Sequence, residues 1–343
     1  MTGAKRHPAR GLETNGTIPP QRSMRAIAQD RYGDAEVLHE AHLPIPVPRD
    51  NEVLVRVHAA GLDRGTWHVM TGTPLLMRLA FGFRGPRNPV PGLDLAGTVV
   101  GMGSAVTGFA VGDAVHGFGQ GTFAEYAVAR EDRLAAKPAS LDFAQAAVIP
   151  VSAATALQAL RLGRIAAGQR VLVIGASGGV GSYAVQLAKA LGAEVTGVAG
   201  PAKQDLVRTL GADHAIDRSR EDFAERTGHY DLIVDIAGNP TLGRLRKALA
   251  PKGTAVIVGG EGAGRWLGMG RQFRAVALSP FIGQRLAMLA SAQRAADLEE
   301  LAGFIESGAV RPHLDKSFPL AQVPEAMEHL VAGKARGKIA III

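Results

Sequence analysis

The most specific chemistry in the sequence is carried by a run of glycines. Val171-Leu172-Val173-Ile174 reads as a buried strand and passes directly into Gly175-Ala176-Ser177-Gly178-Gly179-Val180-Gly181, which opens an amphipathic helix reaching Leu191. Glycine at these positions permits a tight turn, lets the backbone approach a diphosphate, and brings helix and strand into close contact, with the diphosphate at the positive helix N-terminus. Such a run is weak evidence alone; between a strand and a helix it is specific. It predicts a dinucleotide site with Ala176, Ser177, Gly178, Gly179 and Val180 against the ligand.

The end of the second strand selects the dinucleotide. An acid about 20 residues beyond the loop would accept hydrogen bonds from a ribose 2′-hydroxyl and favour NAD. The chain instead reads Val195-Thr196-Gly197-Val198-Ala199-Gly200-Pro201-Ala202-Lys203, without an acid. The expected cofactor is therefore NADPH, lying over Gly200 with its 2′-phosphate on Lys203, and with Arg218, after the third strand, as a second ligand. Plainer readings stay open: Lys203 as a solvated helix residue, Arg218 as surface.

The 343 residues suffice for two domains, each with its own core. A hydrophobic share of 47% with 20% charged is the balance of an ordinary globular protein. There is no cysteine, which excludes disulfides, a catalytic thiolate and every zinc site built on thiolate ligands. The default compartment is the cytoplasm. The net charge is +7; Lys5, Arg6, Arg10 and Arg22 against Glu13 put +3 of it in residues 1–23, and the rest is interleaved with acids, which argues against a nucleic-acid face. Residues 1–23 lack the apolar core of a secretory signal and read as a disordered tail, with Met24 an alternative start. The apolar run Phe143 to Leu160 holds Pro150, Ser152 and Thr155 and reads as buried helix, not a membrane span.

Two patterns of elements divide the chain. From Met24 to about Ile149 short strands are cut by Gly and Pro: Glu52 to His58 alternates with period two, and Asp94 to Val100, Asp113 to Phe118 and Phe123 to Val128 follow, as in an antiparallel, barrel-like domain. After Pro150 strands (Arg170 to Ile174, Glu194 to Val198, His214 to Ile216, Leu232 to Asp235, Ala255 to Val258) alternate with helices, including Val180 to Leu191 and Lys203 to Leu210, the pattern of a doubly wound parallel sheet. Helices at Leu298 to Glu306 and Val323 to Ala332 and a strand at Lys338 to Ile343 close the chain.

Pro91-Gly92-Leu93-Asp94-Leu95-Ala96-Gly97, Gly112-Asp113-Ala114-Val115, Gly121-Thr122-Phe123-Ala124-Glu125-Tyr126, Thr155-Ala156, the glycine loop, Leu210-Gly211-Ala212-Asp213 and Gly337-Lys338 occur in an order that resembles the medium-chain dehydrogenase/reductase superfamily, specifically its zinc-free, quinone oxidoreductase-like branch. The resemblance spans Met24 to Ile343. It implies a GroES-like catalytic domain built from both chain ends, an inserted Rossmann domain, and a substrate cleft between them. Where zinc alcohol dehydrogenases of the superfamily carry a Cys and a His as metal ligands, this chain has Asp63 and Leu93, so no metal site is expected. The quinone reductase pattern Asn-Pro-x-Asp-x-Tyr falls on Asp63 to His68, so that Asp63, Thr66 and His68 stand at the polar positions. His68 is then a candidate to donate a proton or hydrogen bond to a developing acceptor oxygen, or a structural histidine; Trp67 is a cleft wall or core. Similarity also carries over Thr155 beside the nicotinamide, Ala237 and Gly238 after the fourth strand, and Val258, Gly259 and Gly260 after the fifth, all at strand C-termini where ligands bind in open α/β sheets. Lys338 reaches the cofactor or is a solvated edge charge.

The expectation is an α/β protein: a disordered tail at 1–23, a GroES-like domain at 24–149 and 286–343, and a Rossmann NADPH-binding domain at 150–285. Its activity would be zinc-free hydride transfer from NADPH to a quinone, an α,β-unsaturated carbonyl or a similar small apolar electron acceptor, in a soluble cytoplasmic protein without nucleic-acid or membrane partners. The resemblance suggests a homodimer. Residues 262–293, with Trp266, Phe273 and Phe281, would line the cleft or an interface. The rival readings are a catalytically weak NADPH-binding redox sensor and a zinc-free alcohol or carbonyl reductase.

Overall fold

The computed structural model describes residues 23–259 and 269–343. The expected tail, Gly260 and Trp266 therefore lie outside the described residues, Ser23 excepted. Strands β1 (Ser23–Ala28) and β2 (His39–Pro44) pair antiparallel beside β3 (Glu52–Leu62), β4 (Asp94–Met102), β5 (Ala114–Phe118), β6 (Tyr126–Arg130) and β7 (Leu134–Ala136). The chain then builds β8 (Arg170–Ile174), β9 (Glu194–Ala199), β10 (His214–Asp217), β11 (Tyr230–Asp235), β12 (Leu249–Ile257) and β13 (Arg285–Met288), and ends in β14 (Leu314–Pro319) and β15 (Lys338–Ile342).

One sheet has the order β14-β15-β3-β4-β5-β7, with β6 also on β3. Strand β15 runs antiparallel to β3, so the last residues of the chain complete a sheet begun by the first domain. Val53, Val55 and Val57 of β3, Leu95 and Val99 of β4, and Ile339 and Ile341 of β15 bury into one core with Phe123.

The other sheet is parallel, in the order β10-β9-β8-β11-β12-β13. Val171 and Val173 pack into the core on one face and Leu172 and Ile174 into the core on the other. Both faces are covered by helices, which is why β8 reads as a continuous apolar run; β3, expected to alternate, buries Val53, Leu54 and Val55 in succession.

Three local differences from the sequence reading have physical causes. The run 143–160 is two helices, Phe143–Ala147 and Pro150–Leu162; Asp142 and Gln145 form a capping box on the first, and Pro150 at the first turn starts the second. The strand expected at 123–128 starts at Tyr126. Strand β13 joins the parallel sheet beside β12, and Leu298, Leu301 and Ile305 of the helix Ala295–Glu306 pack into that sheet's core, so the chain rejoins the first sheet at Leu314, not at 286. A four-residue strand followed by a polar loop carries too little periodicity to be assigned to either sheet from the sequence. Phe273 and Phe281 are exposed. No helix among the described residues is long and apolar enough to cross a membrane.

Candidate functional site

The C-terminal ends of β8, β9, β11 and β12 form one edge, and the loops leaving them touch. The amides of Gly175 and Ala176 donate to the Val198 carbonyl, those of Ile236 and Ala237 to Ile174, and those of Val258 and Gly259 to Asp235. The glycines are needed where backbones meet: Gly175 has a φ of +88° and a Cβ there would lie 2.9 Å from the Ala237 Cβ, while a Cβ on Gly181 would overlap the Gly175 carbonyl. Gly178 is the N-cap of the helix Gly179–Ala190 and supplies no side-chain cap, and a Cβ there would meet only the Gly175 carbonyl, at 3.5 Å. The helix thus begins beside Ala176 and Ser177 with no side chain over its positive pole, the charge a diphosphate requires. Gly238, with a φ of +105°, follows β11 on the same edge, whereas Thr155, expected at a strand end, lies within the helix Pro150–Leu162, its hydroxyl 3.2 Å from that of Ser291 beyond β13.

At the end of β9 the structure separates the two cations that the sequence offered together. Lys203 donates to the carbonyls of Gly333 (2.8 Å) and Ala335 (2.6 Å), so its ammonium staples the inserted domain to the C-terminal segment. Partial burial lowers its pKa, and the Arg336 and Arg218 charges add to the effect. It is neither a solvated helix residue nor turned outward. The exposed Arg218 lies over the strand end: a Cβ on Gly200 would be 3.9 Å from its Nε. Arg336, which the sequence did not point to, completes the basic corner, holding the Ala202 carbonyl and Asp205.

In the first domain, Asp63 caps the helix Arg64–Thr71, accepting from the Thr66 amide at 2.9 Å and from its hydroxyl at 3.4 Å. Asp63 is 6% exposed and Thr66 fully buried. These two residues satisfy each other and set the helix. Half-buried His68, one turn on, lies with its Nδ1 2.8 Å from the Thr73 carbonyl. A carbonyl only accepts, so Nδ1 carries the hydrogen and the ring orientation is fixed. Leu93 and Asp63, the positions of the metal ligands in zinc relatives, come together against Gly65.

Lys338 departs most from expectation. It is 1% exposed, and its ammonium points into the protein, donating to the Leu62 carbonyl (3.3 Å) and to Ser152 Oγ (2.9 Å) and standing 3.7 Å from Asp94 Oδ2. Asp94 is fully buried, accepts from the Val151 amide at 2.9 Å, and burial raises its pKa well above the usual carboxylate range. A second buried pair sits under the edge, where Arg271 holds Asp235 and the carbonyls of Pro240 and Gly259; burial raises Asp235 to about 6 against the pull of Arg271. The sequence reading missed Ser152, Asp235 and Arg271 as site elements and used Asp94 only as part of a motif. The available signal was an acid beginning or ending an otherwise apolar strand.

Residues 49–139 match the alcohol dehydrogenase GroES-like domain, and residues 210–341 match the zinc-binding dehydrogenase family. The quinone oxidoreductase of Sus scrofa is 32% identical over 346 residues, spanning 94% of this chain and 99% of its own length. A chloroplastic NADPH-dependent alkenal/one oxidoreductase of Arabidopsis thaliana is 32% identical over 352 residues, spanning 96% and 82%. The solved structure of the quinone oxidoreductase from Coxiella burnetii superposes with a TM-score of 0.83 at 28% identity, covering 94% of this chain and 99% of that one. The chain belongs to the medium-chain dehydrogenase/reductase family, in its quinone oxidoreductase-like branch, and is an oxidoreductase. Members of the family bind NAD(P). The strand-end edge fits such a dinucleotide: the helix end at Gly178, without a side-chain cap, matches its diphosphate.

Proposed function

We propose that the protein is an NADPH-dependent reductase of quinones, α,β-unsaturated carbonyls or similar small apolar acceptors, working without zinc. The observation that carries the reading is the pairing of an open helix-end cradle with an acid-free β9 terminus over which Arg218 lies. The bound dinucleotide supplies a hydride; the protein supplies position and electrostatics. The amides of Ser177, Gly179 and Val180 hold the diphosphate, while those of Ala176 and Gly178 are spent on the Val198 and Gly175 carbonyls and shape the turn. Arg218 takes the 2′-phosphate, with the Lys203 ammonium behind it, while Thr155, Ala237, Gly238, Val258 and Gly259 line the nicotinamide end.

On the acceptor side Asp63 and Thr66 set the helix and His68 faces the chemistry. With Nδ1–H committed to Thr73, a proton passed to the acceptor oxygen leaves from Nε2 of the imidazolium. Charge that builds on that oxygen is met by a donor instead of a metal. The chain has no thiolate ligand to offer, and Asp63 is engaged in capping.

Fluorescence titration with NADPH and NADH, followed by NADPH oxidation with 9,10-phenanthrenequinone and a panel of enones, tests the reading. Tighter NADPH binding with turnover supports it. Tight binding with negligible oxidation transfers the weight to a redox sensor, and turnover of ketones alone to a carbonyl reductase.

A further inference from the structure

The buried cluster of Lys338, Ser152 and Asp94 touches neither reactant in the scheme above, yet it joins the elements that hold them. Lys338 arrives on β15, the last strand. Its neighbour Gly337 donates to the Ser177 carbonyl at 3.0 Å, and a Cβ on Gly179 would lie 3.0 Å from Lys338 Cδ and 3.2 Å from Ser152 Oγ, so the lysine stem packs against the glycine loop. Its ammonium reaches the other way, to the carbonyl of Leu62, the residue directly before the cap Asp63. Ser152 and Val151 anchor the same cluster to the helix that carries Thr155.

Such a cluster is a poor way to gain stability. Desolvating an ammonium and a carboxylate costs as much as their attraction returns, and an apolar set of similar volume would serve the fold as well. Asp94 Oδ2 also has no hydrogen-bond partner, the ammonium being 3.7 Å away. What charge and direction contribute is a fixed geometry among three segments far apart in the chain.

We propose that Lys338, anchored by Ser152 and Asp94, is a positioning residue that sets the helix bearing His68 at a fixed distance and angle from the glycine loop. The inference rests on the function proposed above. Its test compares Lys338→Met, Asp94→Asn and the double variant Asp94→Asn/Lys338→Met. Lys338→Met alone strands a buried carboxylate, so stability and rate fall together. The double variant removes both charges; thermal stability then returns to near that of the parent, while single-turnover hydride transfer to 9,10-phenanthrenequinone stays about a hundredfold slow, the effect of an ångström-scale misplacement. NADPH affinity is retained. Amide hydrogen exchange in residues 64–71 of the NADPH-free protein is faster in the double variant than in the parent.

Stability, rate and exchange all returning together would show a structural role only and overturn the proposal. If the parent protein turns over no quinone or enone, the functional reading fails, and exchange alone judges Lys338: unchanged protection of residues 64–71 in the double variant overturns it. If the double variant does not fold, Ser152→Ala, which deletes one anchor and no charge, replaces it. A roughly tenfold slower hydride transfer with NADPH affinity intact supports the proposal, and an unchanged rate overturns it.

Discussion

The two sheets of the molecule build their candidate sites on opposite principles. The parallel-sheet edge makes its ligand site from main chain: adjacent strand ends, glycines that let them touch, and an uncapped helix terminus. The facing side is braced by buried side chains, Asp94 of β4, Ser152 of the helix Pro150–Leu162 and Lys338 of β15, which close on the Leu62 carbonyl at the end of β3. A backbone site tolerates substitution wherever the added side chain points away. A side-chain site fails at single atoms, and each failure strands a partner.

The sharpest way to break the comparison is Gly178→Asp. The position has an ordinary φ of −87° and open space, and an aspartate N-cap favours the helix, so the protein should fold at least as stably. Its carboxylate would occupy the diphosphate position, and NADPH affinity should fall by about a thousandfold, as two like charges brought together at a cost of several kcal/mol require. Retained affinity in a fluorescence titration would remove the backbone cradle from the site.

The two sides should also respond to acid with opposite signs. His116 on β5 is fully buried, and burial lowers its pKa from 6.5 to about 4. Its contribution is complete above 6.5 and is lost as pH falls towards 4, up to about 3 kcal/mol in total. Asp235 is raised from 3.8 to about 6, so its contribution is present below 3.8 and is lost as pH rises through 6. Denaturant titrations from pH 7 to 4 should show His116→Leu losing less stability on acidification than the parent and Asp235→Asn losing more. Identical slopes for all three would mean that neither group titrates differently on unfolding.

His68→Gln keeps a polar ring-sized side chain but cannot deliver a proton, and should lower kcat by about a hundredfold with NADPH affinity unchanged. An unchanged kcat would return His68 to a structural role. The smallest expected effect sharpens the assignment at β9: Arg218→Ala should weaken NADPH by roughly tenfold and leave NADH unaffected, the size of one charge-assisted contact. Lys203→Ala should lose interdomain stability first, because its ammonium already serves two carbonyls. Equal loss of both dinucleotides on removing Arg218 would take the phosphate assignment away from it.

Much of this contrast was legible before any coordinates. The glycine loop and the β8 to β12 alternation lie where the apolar runs and glycines place them, because parallel strands buried on both faces need contiguous apolar residues and strand-end loops need φ values only glycine adopts easily. The resemblance led to Asp63 and His68, but not to the cap that occupies Asp63 or the carbonyl that orients His68. Lys203 looked like a phosphate ligand because its nearest sequence neighbours offer it no partner; its partners are at Gly333 and Ala335. Strand β13 was missed because four residues are too few to show which sheet they join.

By itself, the sequence determined the parts whose physics is local: a strand, a turn and a helix start within a dozen residues, and the absence of an acid or a thiol at places that would need one. Only the tertiary structure decided the fates of the charges. A long cationic side chain reaches whatever carbonyl or carboxylate the fold brings within several ångströms, and for Lys203, Arg218 and Lys338 those neighbours are set by how two sheets and the chain's last strand come together.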